Sequence, residues 1–292
     1  MLTNTAAKTL VYGATGTYKT SNVGLFARYV HETTGKRTRL IASDSNVEPI
    51  QDYIDSGIVE PIFLVENPDL LGIAVQLCRG YWPDSSGKLQ KGLGIEDVGA
   101  YAWEGITSTA QLFMSHLAQK GQKIQEDVVG QFTEAGVKFG ANPRSHYGFV
   151  PSQIYMMLTD LGGLPVERVL VTAHEGKGQD DFSKQLVYGP AAVGTAATNR
   201  IPPYVGDLFH FDSVEVGAAG AKNIETRAYF RPHPDPQTKV LWPAKTRLRP
   251  RAVEAVQARW PEGFIKLELD RGIDQYFRLQ DELKAETKTT TK

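Results

Sequence analysis

Leu10-Val11-Tyr12-Gly13-Ala14-Thr15-Gly16-Thr17-Tyr18-Lys19-Thr20-Ser21 decides the fold. The apolar run predicts a strand, the glycine-bearing stretch a tight loop, and Lys-Thr opens a helical pattern. That order is the Walker A layout, in which loop N–H groups wrap phosphates, the Lys neutralises their charge and the Thr hydroxyl ligates Mg²⁺. Gly13, Ala14, Thr15, Gly16, Thr17, Tyr18, Lys19, Thr20 and Ser21 are therefore the expected nucleotide-binding residues, with Lys19 also catalytic. The G-x-x-x-x-G-K-[ST] spacing puts glycine where this chain has Tyr18. Tyr18 must hold a geometry that glycine adopts freely, so the loop either bends differently or carries strain.

Outward from the loop, Val23, Phe26, Ala27 and Val30 form an i, i+3, i+4, i+7 stripe that predicts a helix ending near Gly35. A second strand is expected around Leu40, Ile41 and Ala42, ending at Ser43-Asp44. Residues 58–65 read as a third strand, placed at an edge by Pro61. Residues 80–94 read as a surface loop and 98–103 as a strand ending at Glu104. Ser108 is expected to cap a helix that stops at Gly121. Residues 121–150 lack a period and read as a long excursion. Ser152 is expected to cap a short helix before the buried strand 168–173. The alternation predicts an α/β fold with a mainly parallel sheet flanked by helices. Residues 209–216 and 226–230 read as C-terminal antiparallel strands, and a charged terminal helix is expected from Phe264, ending in the disordered polar tail 287–292.

The chain has 292 residues, is 41% hydrophobic and carries a net charge of −1, so nucleic-acid contacts would need local patches. One cysteine, Cys78, excludes an intrachain disulfide and a cysteine-based zinc cluster, and fits a cytoplasmic protein. No stretch reads as a signal peptide or approaches the ~20 apolar residues of a membrane span.

Taken in order, several segments resemble the phage-encoded RecA/DnaB-type P-loop nucleotide-binding ATPases of the recombination and annealing group. The resemblance covers roughly residues 9–250 and rests on five features. These are the Walker A loop, Trp103-Glu104-Gly105-Ile106-Thr107-Ser108, residues 169–173 followed by His174-Glu175, the stretch from Tyr188-Gly189-Pro190 to Ile201-Pro202 and Gly206-Asp207, and Ala244-Lys245-Thr246-Arg247. It implies a RecA-like core over residues 1–250, with 251–292 as a helical extension and tail.

The resemblance also implies roles. Glu104 would support Mg²⁺ beside Thr20. Asp44 or Glu48 would orient the attacking water. His174 would sense the γ-phosphate from a strand end. Lys245 and Arg247, two apart and so on one face of an expected strand, would reach a neighbouring subunit's nucleotide. That requires a homo-oligomer, a ring or a filament. Two basic stretches are candidates for single-stranded DNA: 120–147, with Lys120, Lys123, Lys138, Arg144, His146 and Tyr147, and 176–200, with Lys177, Lys184, Tyr188 and Arg200. The expected protein is an ATP- and Mg²⁺-dependent oligomeric ATPase acting on DNA in phage recombination or replication, in the host cytoplasm. The alternative is a nucleotide-binding phage assembly or structural protein with little hydrolysis. A small-molecule kinase would need a lid and an acceptor pocket, and neither is identifiable.

Overall fold

The computed structural model describes residues 6–44, 46–64, 69–127, 132–134, 137–139, 143–179, 184–192, 198, 200–217 and 223–290. The first apolar run lies in β1 (Ala7–Gly13), buried from Thr9 onward. It is followed by α1 (Lys19–Thr34), which ends at Gly35 in the left-handed region, φ 70°. Next come β2 (Arg37–Ala42), α2 (Gln51–Asp55), β3 (Val59–Phe63) and α3 (Leu70–Cys78). A small hairpin of β4 (Tyr81–Pro83) and β5 (Leu89–Lys91) leads to β6 (Val98–Glu104) and α4 (Ile106–Asp127). A second hairpin, β7 (Phe132–Glu134) and β8 (Val137–Phe139), precedes α5 (Pro143–Gly162), β9 (Arg168–Gln179) and β10 (Leu186–Pro190). The chain closes with β11 (Asp207–Val216), β12 (Asn223–Tyr229), β13 (His233–Pro234), β14 (Leu241–Trp242), α6 (Pro250–Arg259), β15 (Phe264–Leu267) and α7 (Asp274–Thr290).

Among the described residues the central sheet has nine strands in the order β15-β12-β11-β1-β9-β6-β2-β3, with β10 on β9. From β11 to β3 every pairing is parallel. β12, β15 and β10 are antiparallel additions. The two-residue period of each strand divides the core between the two faces. Leu10, Tyr12, Trp103 and Val171 point to the face covered by α3, α4 and α5. Val11, Ala102, Leu170 and Phe209 point to the face covered by α1, α6 and α7. Among the described residues no helix is long and apolar enough to cross a membrane.

Several boundaries differ from the sequence reading. α4 continues through Gly121 to Asp127, since one helical glycine costs only about 1 kcal/mol. It begins at Ile106, so Ser108 lies inside its first turn. α5 begins at Pro143 and carries Pro151 internally, so Ser152 is not a cap but donates its hydroxyl to Gly148 O at 2.9 Å. The expected surface loop 80–94 contains the β4–β5 hairpin. Residues 264–267 form β15 on the sheet edge, where Ile265 and Leu267 alternate inward, and the last helix starts only at Asp274. β3 sits at the sheet edge with Pro61, as its proline predicts. The C-terminal segment contributes to the core through α7: Phe277 meets Phe26 edge-on at 5.4 Å between ring centroids. The expected tail is helical to Thr290, and residues 291–292 lie outside the described residues.

Candidate functional site

Strand register brings the ends of β1, β2 and β6 together beside His174 within β9: Gly13 pairs with His174, and Ala42 with Glu104. The chain leaves β1 toward β2 and later reaches β11 on the other side of β1. Such reversals open a crevice at the carboxyl ends of parallel strands. Here a cleft of about 410 Å³ is lined by Gly16, Lys19, Thr20, Asp44, Glu104 and His174, among others.

The loop is shaped by close approach and by one strained residue. A Cβ on Gly13 would lie 2.1 Å from Phe211 O, so this position admits only glycine without moving β11. Tyr18 takes the left-handed conformation, φ 60° and ψ 22°, at a cost of about 1–2 kcal/mol for a residue with a Cβ. Its carbonyl is held by Asn22, whose Nδ2 donates at 2.9 Å, while Asn22 Oδ1 accepts the Ile273 N–H at 2.8 Å. The left-handed residue turns the chain so that Lys19 faces inward, 9% exposed. Its ammonium donates to Gly13 O at 2.9 Å and to Ala14 O at 2.5 Å. Burial pulls its pKa down to about 8, against the opposing pull of Glu104 and Glu175.

Thr20 Oγ1 donates to Glu104 Oε1 at 2.9 Å and joins the first turn of α1 to the acid at the end of β6. Burial raises the Glu104 carboxyl above its ordinary range; Asp44 adds to this, while Thr20 and Lys19 oppose it. Beneath Glu104, Gly105 (φ 81°) donates its N–H to Thr172 Oγ1 at 2.8 Å. Ser43 Oγ lies 3.0 Å from Glu104 O and 2.7 Å from Gly105 O. His174 reaches the cleft from β9; its backbone N–H donates to Thr107 Oγ1 at 3.0 Å, and the Thr107 hydroxyl in turn donates to Ala191 O at 2.7 Å. Burial, and then the Lys19 charge, lower the His174 pKa.

Gly16, Tyr18, Lys19, Thr20, Glu104, His174 and Asp44 thus meet at one cleft. Asp44 is exposed there and accepts the Asn46 N–H at 2.9 Å. Glu48 is not part of the lining: it opens a 3-10 turn, Glu48–Ile50, whose Pro49 faces the cleft instead. Lys245 and Arg247 also lie elsewhere in the chain. In place of the expected strand, Lys245 makes a single bridge to Leu208, and its Nζ donates to Pro202 O at 2.6 Å. The Arg247 N–H donates to Asp207 Oδ1 at 2.9 Å, at the N-terminal end of β11 and so at the other end of the sheet.

The expected loop 176–200 is partly the β9–β10 ladder, and Tyr188 is buried in it with its hydroxyl on Thr238 Oγ1 at 2.9 Å. Lys177 pairs with Asp235 at 3.3 Å. Tyr147 is 54% exposed. The side chains of Lys120, Lys123, Lys138 and Arg144 lie outside the described residues. Asn22, Ser43, Thr107 and Thr172 support the site unannounced by the sequence, because isolated polar residues at strand and helix ends carry no period. The signal available was position: Ser43 and Thr172 each stand within two residues of a strand end or a cleft residue. No protein-family model matches the chain, and no curated protein matches it in sequence.

Proposed function

We propose that the cleft binds ATP with Mg²⁺ and that the protein hydrolyses it as a RecA-like oligomeric ATPase. The observation that carries this reading is the Thr20–Glu104 hydrogen bond beside the buried Lys19 ammonium. A hydroxyl and a carboxylate are hard oxygen donors of the kind Mg²⁺ takes together with substrate phosphates, so the donor set fits. Bound there, Mg²⁺ would supply charge neutralisation at the phosphate oxygens. Lys19 turns from the carbonyls of Gly13 and Ala14 to the phosphates, and loop N–H groups orient them. Asp44, exposed at the cleft mouth, accepts a proton from water or orients it. His174, one strand from the loop, donates to a phosphate oxygen. Lys245 and Arg247, at the far end of their own sheet, can serve only a neighbouring subunit's cleft.

Action on single-stranded DNA in phage recombination or replication is supported by the sequence resemblance, together with the exposed ring of Tyr147. A second reading, a nucleotide-binding phage assembly protein with slow turnover, is favoured by the left-handed Tyr18 where the loop pattern has glycine. ATP turnover measured at several protein concentrations, with and without single-stranded DNA and beside Lys19→Ala, separates the two. Turnover per subunit that rises with concentration and DNA and vanishes in the variant supports the motor. Nucleotide binding with slow, DNA-independent turnover supports the assembly protein. Equal nucleotide binding by wild type and Lys19→Ala would overturn both.

A further inference from the structure

Behind the phosphate loop, on the opposite face of β1 and β9 from His174, three ionisable side chains form a chain of their own. His210 on β11 is 1% exposed. Its Nε2 lies 3.2 Å from Glu175 Oε2 and its Nδ1 lies 2.7 Å from His233 Nε2. The ring is stacked on Trp242 at 4.3 Å and 16°, with Tyr12 at 4.8 Å. The His233 ring is stacked on Tyr229 at 3.6 Å. With Glu175 ionised, His210 Nε2 carries a proton to donate to it. One proton alone can then lie between the two facing nitrogens. A second proton would set N–H against N–H and cation against cation.

We propose that Glu175, His210 and His233 form a single-proton latch. It holds the β13–β14 hairpin onto β9 and β11 beside the end of β1, and a second proton releases it. The hairpin carries His233 on one strand and Trp242 on the other, paired with each other. Pro243, which follows it, accepts the Tyr12 hydroxyl at 2.6 Å, so the latch bears on the strand that feeds the loop.

Burial, and then His210, depress the His233 pKa to about 4. A freed imidazole takes its proton near 6.5. Between these values the open hairpin binds more protons than the closed one, so falling pH favours opening. Among the described residues the other ionisable groups facing the pair are Tyr12, Asp212, Tyr229 and Asp235, with Lys177 over the Trp242 ring. Asp235 stays ionised throughout, because the Thr238 and Gln237 N–H groups hold its carboxyl far below the usual range. Burial raises Asp212, so its protonation favours the closed hairpin and opposes the acid response that His233 drives.

The latch is independent of ATP and is tested without it, by amide hydrogen exchange on the full chain at pH 7 and pH 4.5, expressed as protection factors. In the wild type, protection of amides within residues 233–242 is expected to fall at least tenfold on acidification, while β6 keeps its protection. His233→Gln, which cannot take the second proton, is expected to keep hairpin protection at both pH values. Equal loss in hairpin and β6, or the same selective loss in the variant, overturns the latch. Histidine NMR of the wild type gives a check that needs no variant. A His233 ring titrating near 6.5, with hairpin protection constant, overturns it as well.

Discussion

At the N-terminal ends of the parallel strands Arg168 is buried, with its guanidinium 2.5 Å from Asp281 Oδ1 and 2.7 Å from Gln280 Oε1. It also lies over the Phe277 ring at 5.0 Å. At the C-terminal ends Lys19 is as deeply placed, but it donates to the neutral carbonyls of Gly13 and Ala14, and Glu104 accepts from the neutral hydroxyl of Thr20. One end closes its charge with a counter-charge; the other holds two ions on dipoles. Dipoles compensate burial incompletely, which is why the Lys19 pKa falls and that of Glu104 rises. A ligand that brings the missing charge gains what folding left unsatisfied, so the same sheet is scaffold at one end and site at the other.

Replacing each cation by an apolar side chain should divide the two ends most sharply. Lys19→Met is expected to weaken nucleotide binding at least 100-fold, by titration calorimetry, with an unfolding free energy equal to or above wild type. Arg168→Met removes the buried guanidinium from Asp281 and Gln280, leaving Asp281 with Tyr29 and Lys284, and is expected to cost about 2 kcal/mol in denaturant unfolding with the affinity of the folded protein unchanged. A Lys19→Met that unfolds as readily as Arg168→Met would erase the contrast.

Glu104→Gln keeps an acceptor for Thr20 and removes the charge. Turnover is expected to drop about 100-fold with stability retained, read by steady-state kinetics and thermal melting. The Lys19 proton gives a smaller, graded effect. Its folded pKa of about 8 lies below the unfolded value near 10.5, so the unfolded chain holds more protons between them and this group's contribution to stability rises with pH in that window. Nucleotide affinity should move the other way, falling up to about tenfold per pH unit above pH 8, measured at constant ionic strength. The smallest effect is expected for Tyr18→Gly. Relief of the left-handed backbone, less the added freedom of the unfolded chain, leaves about 0.5 kcal/mol of stabilisation by denaturant titration.

The parts legible in the sequence were those with local chemistry. β1, β2, β6 and β9 are short apolar runs, and Gly13, Lys19 and Thr20 announce their loop. Glu104 and Asp44 stand at or just beyond strand ends, where a parallel sheet collects them, whereas the strand expected to end before His174 runs on to Gln179 and holds His174 within it. Glu48 stands beside the cleft and not in its lining, because one residue of 3-10 turn decides which side chain faces it. Gly121 and Pro151 failed as punctuation because tertiary packing overrides local propensity in long helices. β15 was hidden because four alternating residues, Phe264-Ile265-Lys266-Leu267, become a strand only when the β12 edge receives them.

Asn22 gives the loop a date as well as a shape. Its Oδ1 takes the N–H of Ile273, 251 positions later, and a Cβ on the neighbouring Gly272 would come within 2.1 Å of that oxygen. Phe211, whose carbonyl presses on Gly13, is also made long after the loop. A nascent chain therefore carries Lys19 for most of its synthesis without the contacts that fix Tyr18. The loop takes its working form among the last events of folding, as long-range contacts close. If the cleft takes a nucleotide as proposed, its affinity is then a property of the finished protein and marks the moment at which the last helix has docked.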